Sequence, residues 1–178
     1  MGTTTGTQYA ARSTQRGFTL LELVVVIVIL ALTAAIVLPR FSFTDDGRLR
    51  TSARTVAALL RYLGERGATG GGTYRLHLNP GDNTMSVTRL AENGEESRPE
   101  DPFLNRAFLA QGVSLADVVL PRFGKVRESE VIVTLGPRGL SDFLVLHLKG
   151  KGEAAYTIFA YPEGGRVKVV AGYQEEDA

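Results

Sequence analysis

The chain contains no cysteine, so disulfide bonds hold no part of it together and a lipid-modified N-terminal cysteine is excluded. Its two histidines, His77 and His147, stand far apart and neither belongs to an HxH or HExxH pattern. Ser114, Ser129 and Ser141 lack the glycine context of a nucleophile elbow. We therefore expect no enzyme, no metal, no cofactor and no small-molecule substrate.

Acidic residues are also missing from residues 1–17, which contain Arg12 and Arg16. Positive charge before an apolar segment predicts that this end stays in the cytoplasm while the rest is exported. Apart from Arg12, Arg16 and Glu22, the chain carries 18 basic and 18 acidic side chains. A balanced exported part, ending in acidic residues 175–177, gives no electrostatic reason to bind nucleic acid.

Residues 18–38 form an almost unbroken apolar run of 21 residues. As a helix the run would be about 30 Å long, which is enough to cross the hydrocarbon core of a bilayer. Its one charged residue is Glu22, and a charge within a span costs at least about 2.5–3.5 kcal/mol. Glu22 is therefore predicted to be functional and to have a cationic partner, the alternative being a snorkelling acid in an ordinary anchor.

The residues around the start of this run carry a specific motif. The string Arg-Gly-Phe-Thr-Leu-Leu-Glu at residues 16–22 resembles the processing site of type IV prepilins and type II secretion pseudopilins. The resemblance implies cleavage after Gly17 by a prepilin peptidase and N-methylation of Phe18, which makes Glu22 the fifth residue of the mature chain. It also implies that Glu22 meets the terminal amine of a neighbouring subunit during assembly. On a helix, residues 18 and 22 lie one turn apart on the same face.

A secretory signal peptide is the alternative interpretation of a basic stretch followed by an apolar run. Small residues at 33–35 resemble a signal-peptidase site, and cleavage there would release a soluble protein. Glu22 argues against this alternative, because an acid at the start of the apolar core weakens a signal peptide.

Beyond the run, Pro39 predicts a kink, and apolar residues then recur at spacings of three and four from about Arg48 to Gly67. We expect an amphipathic half-helix that packs its apolar face on a globular domain. The predicted organisation is a leader at 1–17, a transmembrane helix at 18–38, the amphipathic half at 39–67 and a β-sheet domain at 68–178.

Downstream of the helix the apolar pattern alternates. Seven strands are predicted, at residues 73–78, 84–90, 113–120, 130–135, 143–149, 155–161 and 166–171. The turn residues between most of them indicate antiparallel sheets, two in number, which together with the helix give an α+β fold. Dense apolar residues at 131–133 and 144–146 predict strands that are packed on both faces.

Residues 99–123 are too apolar for a loose loop. They include Phe103, Leu104, Phe108 and Leu109. Long connections in compact domains are often functional or carry their own structure. These four side chains therefore form either a lid on the core or a docking surface for partner proteins.

The globular part narrows the resemblance. The segments at residues 53–54, 59–61, 73–76, 135–141 and 161–167, with Gly172, are similar to H-type minor pseudopilins of type II secretion, the general secretion pathway protein H family. The family has a pilin-like fold, in which a long N-terminal helix packs on antiparallel sheets. Its members include minor pilins of type IV pili and DNA-uptake (competence) pili, which is the alternative assignment.

This resemblance implies a single-pass protein of the inner membrane with its C-terminal domain in the periplasm. The implied function is assembly into the pseudopilus tip, which helps to export folded proteins across the outer membrane. The implied partners are other major and minor pseudopilins, a prepilin peptidase that is also the N-methyltransferase, an inner-membrane assembly platform and membrane lipid.

Overall fold

The computed structural model describes residues 19–37, 43–70, 72–162 and 165–175. The chain divides into two compact units, Met1–Phe41 and Ser42–Ala178. The first unit contains helix α1 (Leu20–Val37). Among the described residues, no helix is both long enough and apolar enough to count as a membrane span.

The second unit begins with helix α2, Phe43–Ala68. It buries the predicted apolar stripe, which consists of Leu49, Ala53, Val56, Ala57, Leu60 and Leu63, and it also buries Leu59. The helix starts five residues before the position that the stripe indicated. Arg50, Arg54 and Arg61 lie on the exposed side, as an amphipathic helix requires.

The end of α2 depends on glycine. A Cβ on Gly67 would lie 2.5 Å from the carbonyl oxygen of Gly136, so the last turn of the helix approaches the backbone more closely than any side chain permits. Gly70, with φ of 81°, then turns the chain away in the left-handed region that favours glycine. Gly67 and Gly70 thus mark the helix terminus.

In the part of the chain that the structure describes, ten strands form two five-stranded antiparallel sheets. Sheet A has the order β3-β2-β1-β6-β7 and sheet B the order β10-β9-β8-β4-β5. The strands are β1 (Thr73–Asn79), β2 (Thr84–Leu90), β3 (Glu96–Ser97), β4 (Ser114–Leu120), β5 (Gly124–Val126), β6 (Val131–Gly136), β7 (Gly139–Leu140), β8 (Leu144–Lys149), β9 (Ala155–Ala160) and β10 (Val167–Ala171). The predicted α+β fold is confirmed. All seven predicted strands are present within two residues at each end.

The inner faces of both sheets and the apolar face of α2 share one hydrophobic core. Leu76 and Leu78 of β1, Leu146 and Leu148 of β8, and Ile158 of β9 are all fully buried in it. At about 25 cal/mol per Å² of apolar surface, burial of each such side chain contributes roughly 1.5–3 kcal/mol. All residues of this core lie in the second unit, residues 42–178.

The two sheets differ on their outer faces. In β6, Val131 and Val133 are buried but Ile132 is 45% exposed, so the predicted two-sided packing of residues 131–133 is wrong. Successive side chains of a strand point alternately to the core and to the outer face, and the outer face of sheet A is polar. In β8, by contrast, Val145 is buried between two buried leucines, which confirms two-sided packing there. The outer face of sheet B is therefore covered where β8 crosses it.

Candidate functional site

The first turn of α1 places Glu22 in a capping arrangement. The hydroxyl oxygen of Thr19 accepts a hydrogen bond from the backbone N–H of Glu22 at 3.2 Å, and the Thr19 carbonyl accepts from the same N–H at 3.0 Å. Thr-x-x-Glu is the sequence of a capping box, in which the acid at the third helical position supports the start of the helix. The sequence prediction missed this motif, although it was readable. Thr19 thus caps the first turn of α1 through the backbone N–H of Glu22.

The side chains of α1 form an exposed apolar surface. The large aliphatic side chains from Leu20 to Leu32 are all exposed, and Ile27, in the middle of the helix, is 57% exposed. The hydroxyl of Thr33 donates to the carbonyl oxygens of Ile29 at 2.8 Å and Leu30 at 2.9 Å, so it adds no unsatisfied polar group to this surface. A surface of this kind is suited to an apolar environment, either lipid or other helices.

The predicted processing residues, Gly17 and Phe18, lie outside the described residues, as does Pro39. Of the predicted assembly and processing residues, the structure therefore describes Glu22 alone.

The apolar segment after β3 covers the core. Leu104 is 2% exposed and Phe108 is 3% exposed, while Phe103 and Leu109 are half-buried and pack against the same core. Leu104 lies in a short 3₁₀ helix, Pro102–Asn105. The docking interpretation is therefore wrong for Leu104 and Phe108, because side chains that fill the core cannot also present a surface. The lid interpretation agrees with the burial of all four.

Polar contacts fix this lid to α2. The carboxylate of Asp101 accepts hydrogen bonds from the Tyr62 hydroxyl and, at 2.9 Å, from the backbone N–H of Phe103. These hydrogen bonds lower the pKa of Asp101 below its usual range. Ser52 of α2 accepts from the backbone N–H of Ala110 at 2.9 Å. Both ends of the lid are thus tied to the helix.

Both histidines lie beside carboxylates. His77 in β1 contacts Glu130 at 3.1 Å through Nδ1 and Glu96 at 2.9 Å through Nε2. His147 in β8 is buried against Asp117. Both are satisfied by hydrogen bonds, and within the described part of the chain no group of three or more potential ligands has a geometry that could hold a metal ion.

The turn between β1 and β2 uses its polar groups internally. The side chain of Asn79 donates to the Asp82 carboxylate at 2.8 Å. Asn83 joins the turn to the start of β4, since it donates to the Val113 carbonyl at 3.1 Å and accepts from the Leu115 N–H at 2.8 Å. The turn therefore acts as a structural connection between the two sheets.

Comparison with known proteins agrees with these features. Residues 12–38 match the model of the prokaryotic N-terminal methylation motif. A search of curated protein sequences gives no match.

The fold is similar to that of solved pseudopilins. Two structures of the minor pseudopilin EpsH from the type 2 secretion system of Vibrio cholerae superimpose with TM-scores of 0.58 and 0.53. The first is 18% identical in sequence and the alignment covers 75% of this chain and 99% of EpsH; the second is 16% identical and covers 70% and 97%. This chain therefore carries a prokaryotic N-terminal methylation motif and has the α+β fold of these minor pseudopilins.

Proposed function

We propose that this chain is a minor pseudopilin, an assembly subunit of a type II secretion system with no chemistry of its own. One observation carries the proposal. An exposed apolar helix with a single acid in its capped first turn lies within the N-terminal methylation motif, and the domain that follows has the EpsH fold. An apolar surface on a helix outside the domain's own core needs a partner, and lipid or neighbouring helices supply one.

The proposed anchor is the apolar run at residues 18–38, inserted in the inner membrane with residues 42–178 in the periplasm. A prepilin peptidase cleaves the leader after Gly17 and methylates the new terminus at Phe18. The positive leader and the methylation motif at residues 12–38 support this orientation.

The proposed assembly contact joins Glu22 to the Phe18 ammonium of a neighbouring pseudopilin. A carboxylate in lipid is costly unless it is paired, so the contact favours correctly stacked subunits over free ones. The same contact repeated along a fibre is heterologous and non-closing, which generates a filament. The assembly platform in the inner membrane would deliver the subunits to that fibre.

Processing provides the first experiment. After co-expression with a prepilin peptidase, intact mass spectrometry should give a chain that begins at N-methylated Phe18. Gly17→Val should leave an unprocessed precursor, because a branched side chain crowds the cleavage site. Gly6→Val is the matched control, since it makes the same substitution away from the cleaved bond, and it should be processed normally. A mature chain that begins at Ile36, as signal-peptidase cleavage would produce, would rule out a retained helical anchor.

A further inference from the structure

The outer face of sheet B carries a buried acid–base pair. His147 of β8 and Asp117 of β4 stand directly opposite each other in the antiparallel register, so their side chains share one face. His147 is 1% exposed and Asp117 is 2% exposed. The neighbouring Leu146 and Leu148 point to the core on the other face. The pair therefore lies on the face away from the main core.

The hydrogen bonds of His147 require a proton at each ring nitrogen. Nε2 lies 2.8 Å from the backbone carbonyl oxygen of Gln174, and a carbonyl can only accept, so Nε2 carries a hydrogen. Nδ1 lies 2.6 Å from Oδ1 of Asp117, and a hydrogen bond at this distance needs one proton between the two atoms. Whether the nitrogen or the oxygen holds that proton, the pair contains one more proton than a neutral histidine beside an ionised aspartate.

The C-terminal segment Gly172–Glu175 covers this pair. The hydroxyl of Tyr173 donates to the second oxygen of Asp117 at 2.7 Å, and its ring stacks on the His147 ring at a centroid distance of 3.8 Å. Thr157 of β9 joins two more points of the segment, since its hydroxyl donates to the Gly172 carbonyl at 2.8 Å and accepts from the Gln174 N–H at 2.9 Å. Each residue from 172 to 174 is thus hydrogen-bonded to sheet B.

Other charged groups surround the segment. Lys125 of β5 and Lys149 of β8 lie over the Tyr173 ring at 5.3 and 5.8 Å. Lys125 also forms an ion pair with Glu175. Arg127 lines the surface groove that these side chains form. Hydrogen bonding to Lys125 lowers the pKa of Glu175, and the same pair raises the pKa of Lys125. Burial raises the pKa of Tyr173. These three groups therefore keep one charge state across the neutral range.

We propose that Gly172–Glu175 is a pH-sensitive strap, clamped over sheet B by the proton that His147 and Asp117 share. When the pair loses this proton, one ring nitrogen of His147 presents a lone pair either to the Asp117 carboxylate or to the Gln174 carbonyl. Two acceptors then face each other in a buried site, which is unfavourable. Lifting the strap relieves this by admitting water to both groups. The clamp is therefore closed at low pH and loosens as the pH rises.

Release would uncover a specific surface. Removal of Tyr173 and Gln174 would expose Asp117, His147 and Thr157 on the outer face of sheet B, beside Lys125, which Glu175 would leave unpaired. The strap is independent of α1 and of Glu22, so its behaviour does not depend on the proposed assembly role.

Hydrogen exchange measured by mass spectrometry on the full chain in detergent micelles tests the strap. After correction for intrinsic exchange rates, amide protection in residues 172–175 should fall at least about tenfold between pH 6 and pH 9. His147→Gln should give low, pH-independent protection in this segment. The chain has two histidines, so His77→Gln is a matched control and should keep the wild-type pH response. Unchanged wild-type protection, or a response that disappears in His77→Gln, would overturn the proposal.

Nitrogen NMR keeps the test independent of whether the variants fold. In the ¹⁵N-histidine-labelled wild-type chain, both His147 ring nitrogens should be hydrogen-bonded to a proton at pH 6, and one should become unprotonated at the pH where strap protection falls. A His147 ring in which one nitrogen neither carries a proton nor accepts a hydrogen bond at pH 6, with no change up to pH 9, would contradict the shared proton. Titration of the ring without any change in strap protection would equally overturn the clamp.

Discussion

The hydroxyl of Thr19 accepts a hydrogen bond from the backbone N–H of Glu22 at 3.2 Å, so the single acid of the apolar run lies in the capped first turn of α1. Thr-x-x-Glu is the sequence of a capping box, so the Glu22 side chain can support this turn from the third helical position. As a carboxylate, it also lies at the positive end of the helix dipole and can pair with a cation. Glutamine can serve in a capping box but has no charge, so substitution separates the two roles.

Glu22→Gln should be inserted and cleaved like the wild type but should fail to support secretion, because it cannot pair with the Phe18 ammonium of a neighbour. Glu22→Leu should be inserted at least as well, since it removes a charge from lipid, and should fail equally. Glu22→Asp keeps the charge on a shorter arm and should be intermediate. The measurement is secretion of a reporter protein in cells that express each variant at the native level. Normal secretion with Glu22→Gln would show that residue 22 must be able to cap the helix but need not be charged.

The lid over the core should be essential to stability. Residues 42–178 contain their own core, so we expect them to fold alone and to unfold in a two-state transition. In this fragment Leu104→Ala should lower the free energy of unfolding by about 2–5 kcal/mol and Phe108→Ala by about 3–5 kcal/mol, through lost burial and the cavities left behind. Urea denaturation followed by circular dichroism measures both.

Phe123 is the control for the lid, because it is an aromatic residue of the same domain that is 63% exposed. Phe123→Ala should change the free energy of unfolding by no more than about 0.5 kcal/mol. A lid variant that is as stable as the Phe123 variant but has lost binding to other pseudopilins would restore the docking interpretation.

Two glycines of α2 should respond in opposite directions to the same substitution. Gly67→Ala places a Cβ 2.5 Å from the Gly136 carbonyl oxygen, so the helix end and β6 must separate and the domain should lose stability. Gly64→Ala meets nothing within 4 Å and should stabilise the domain by about 0.5–1 kcal/mol, the helix propensity that glycine forfeits. The melting temperatures of the two variants, compared with that of the wild type, measure both effects. Equal melting temperatures would mean that α2 does not approach β6 so closely.

The acid side of the stability profile should depend on Glu96. Hydrogen bonds from Thr88, Arg75 and His77 lower the pKa of Glu96 from 4.5 to about 2. A carboxyl with a lowered pKa in the folded state stabilises the fold above its unfolded pKa, and this contribution is lost as the pH falls from about 4.5 towards 2. The melting temperature of Glu96→Gln should therefore fall less steeply over this range than that of the wild type. Parallel profiles would show that the Glu96 cluster is not formed in solution.

Much of the fold could be predicted from local patterns. The apolar stripe of α2 and seven of the strands could be predicted from the spacing of apolar residues alone, because each of these elements buries several side chains on one face. The missed strands β3, β5 and β7 have two or three residues each and lie in the outer positions of the sheets, where too few side chains are buried to set a period. Ile132 was placed wrongly because an apolar run does not show whether a second layer covers the strand.

Long-range pairings could not be predicted in the same way. Asp117 and His147 meet because β4 pairs with β8 across 30 residues, and the strap reaches them from the far end of the chain. Nothing in the spacing of these residues encodes that register. The capping box at Thr19 and Glu22 is the opposite case, since four consecutive residues display it and the interpretation of Glu22 as a charge alone overlooked it.

The most direct test of the proposed assembly role is which proteins α1 contacts in cells. A photo-activated cross-linking amino acid in place of the exposed Ile27, in full-length protein expressed with a complete type II secretion system, reports the neighbours of this helix. We predict cross-links to other pseudopilins that disappear in the Glu22→Gln background. Cross-links that are absent when the system is complete, or that form only with the pilins of a type IV pilus, would contradict assembly into a secretion pseudopilus.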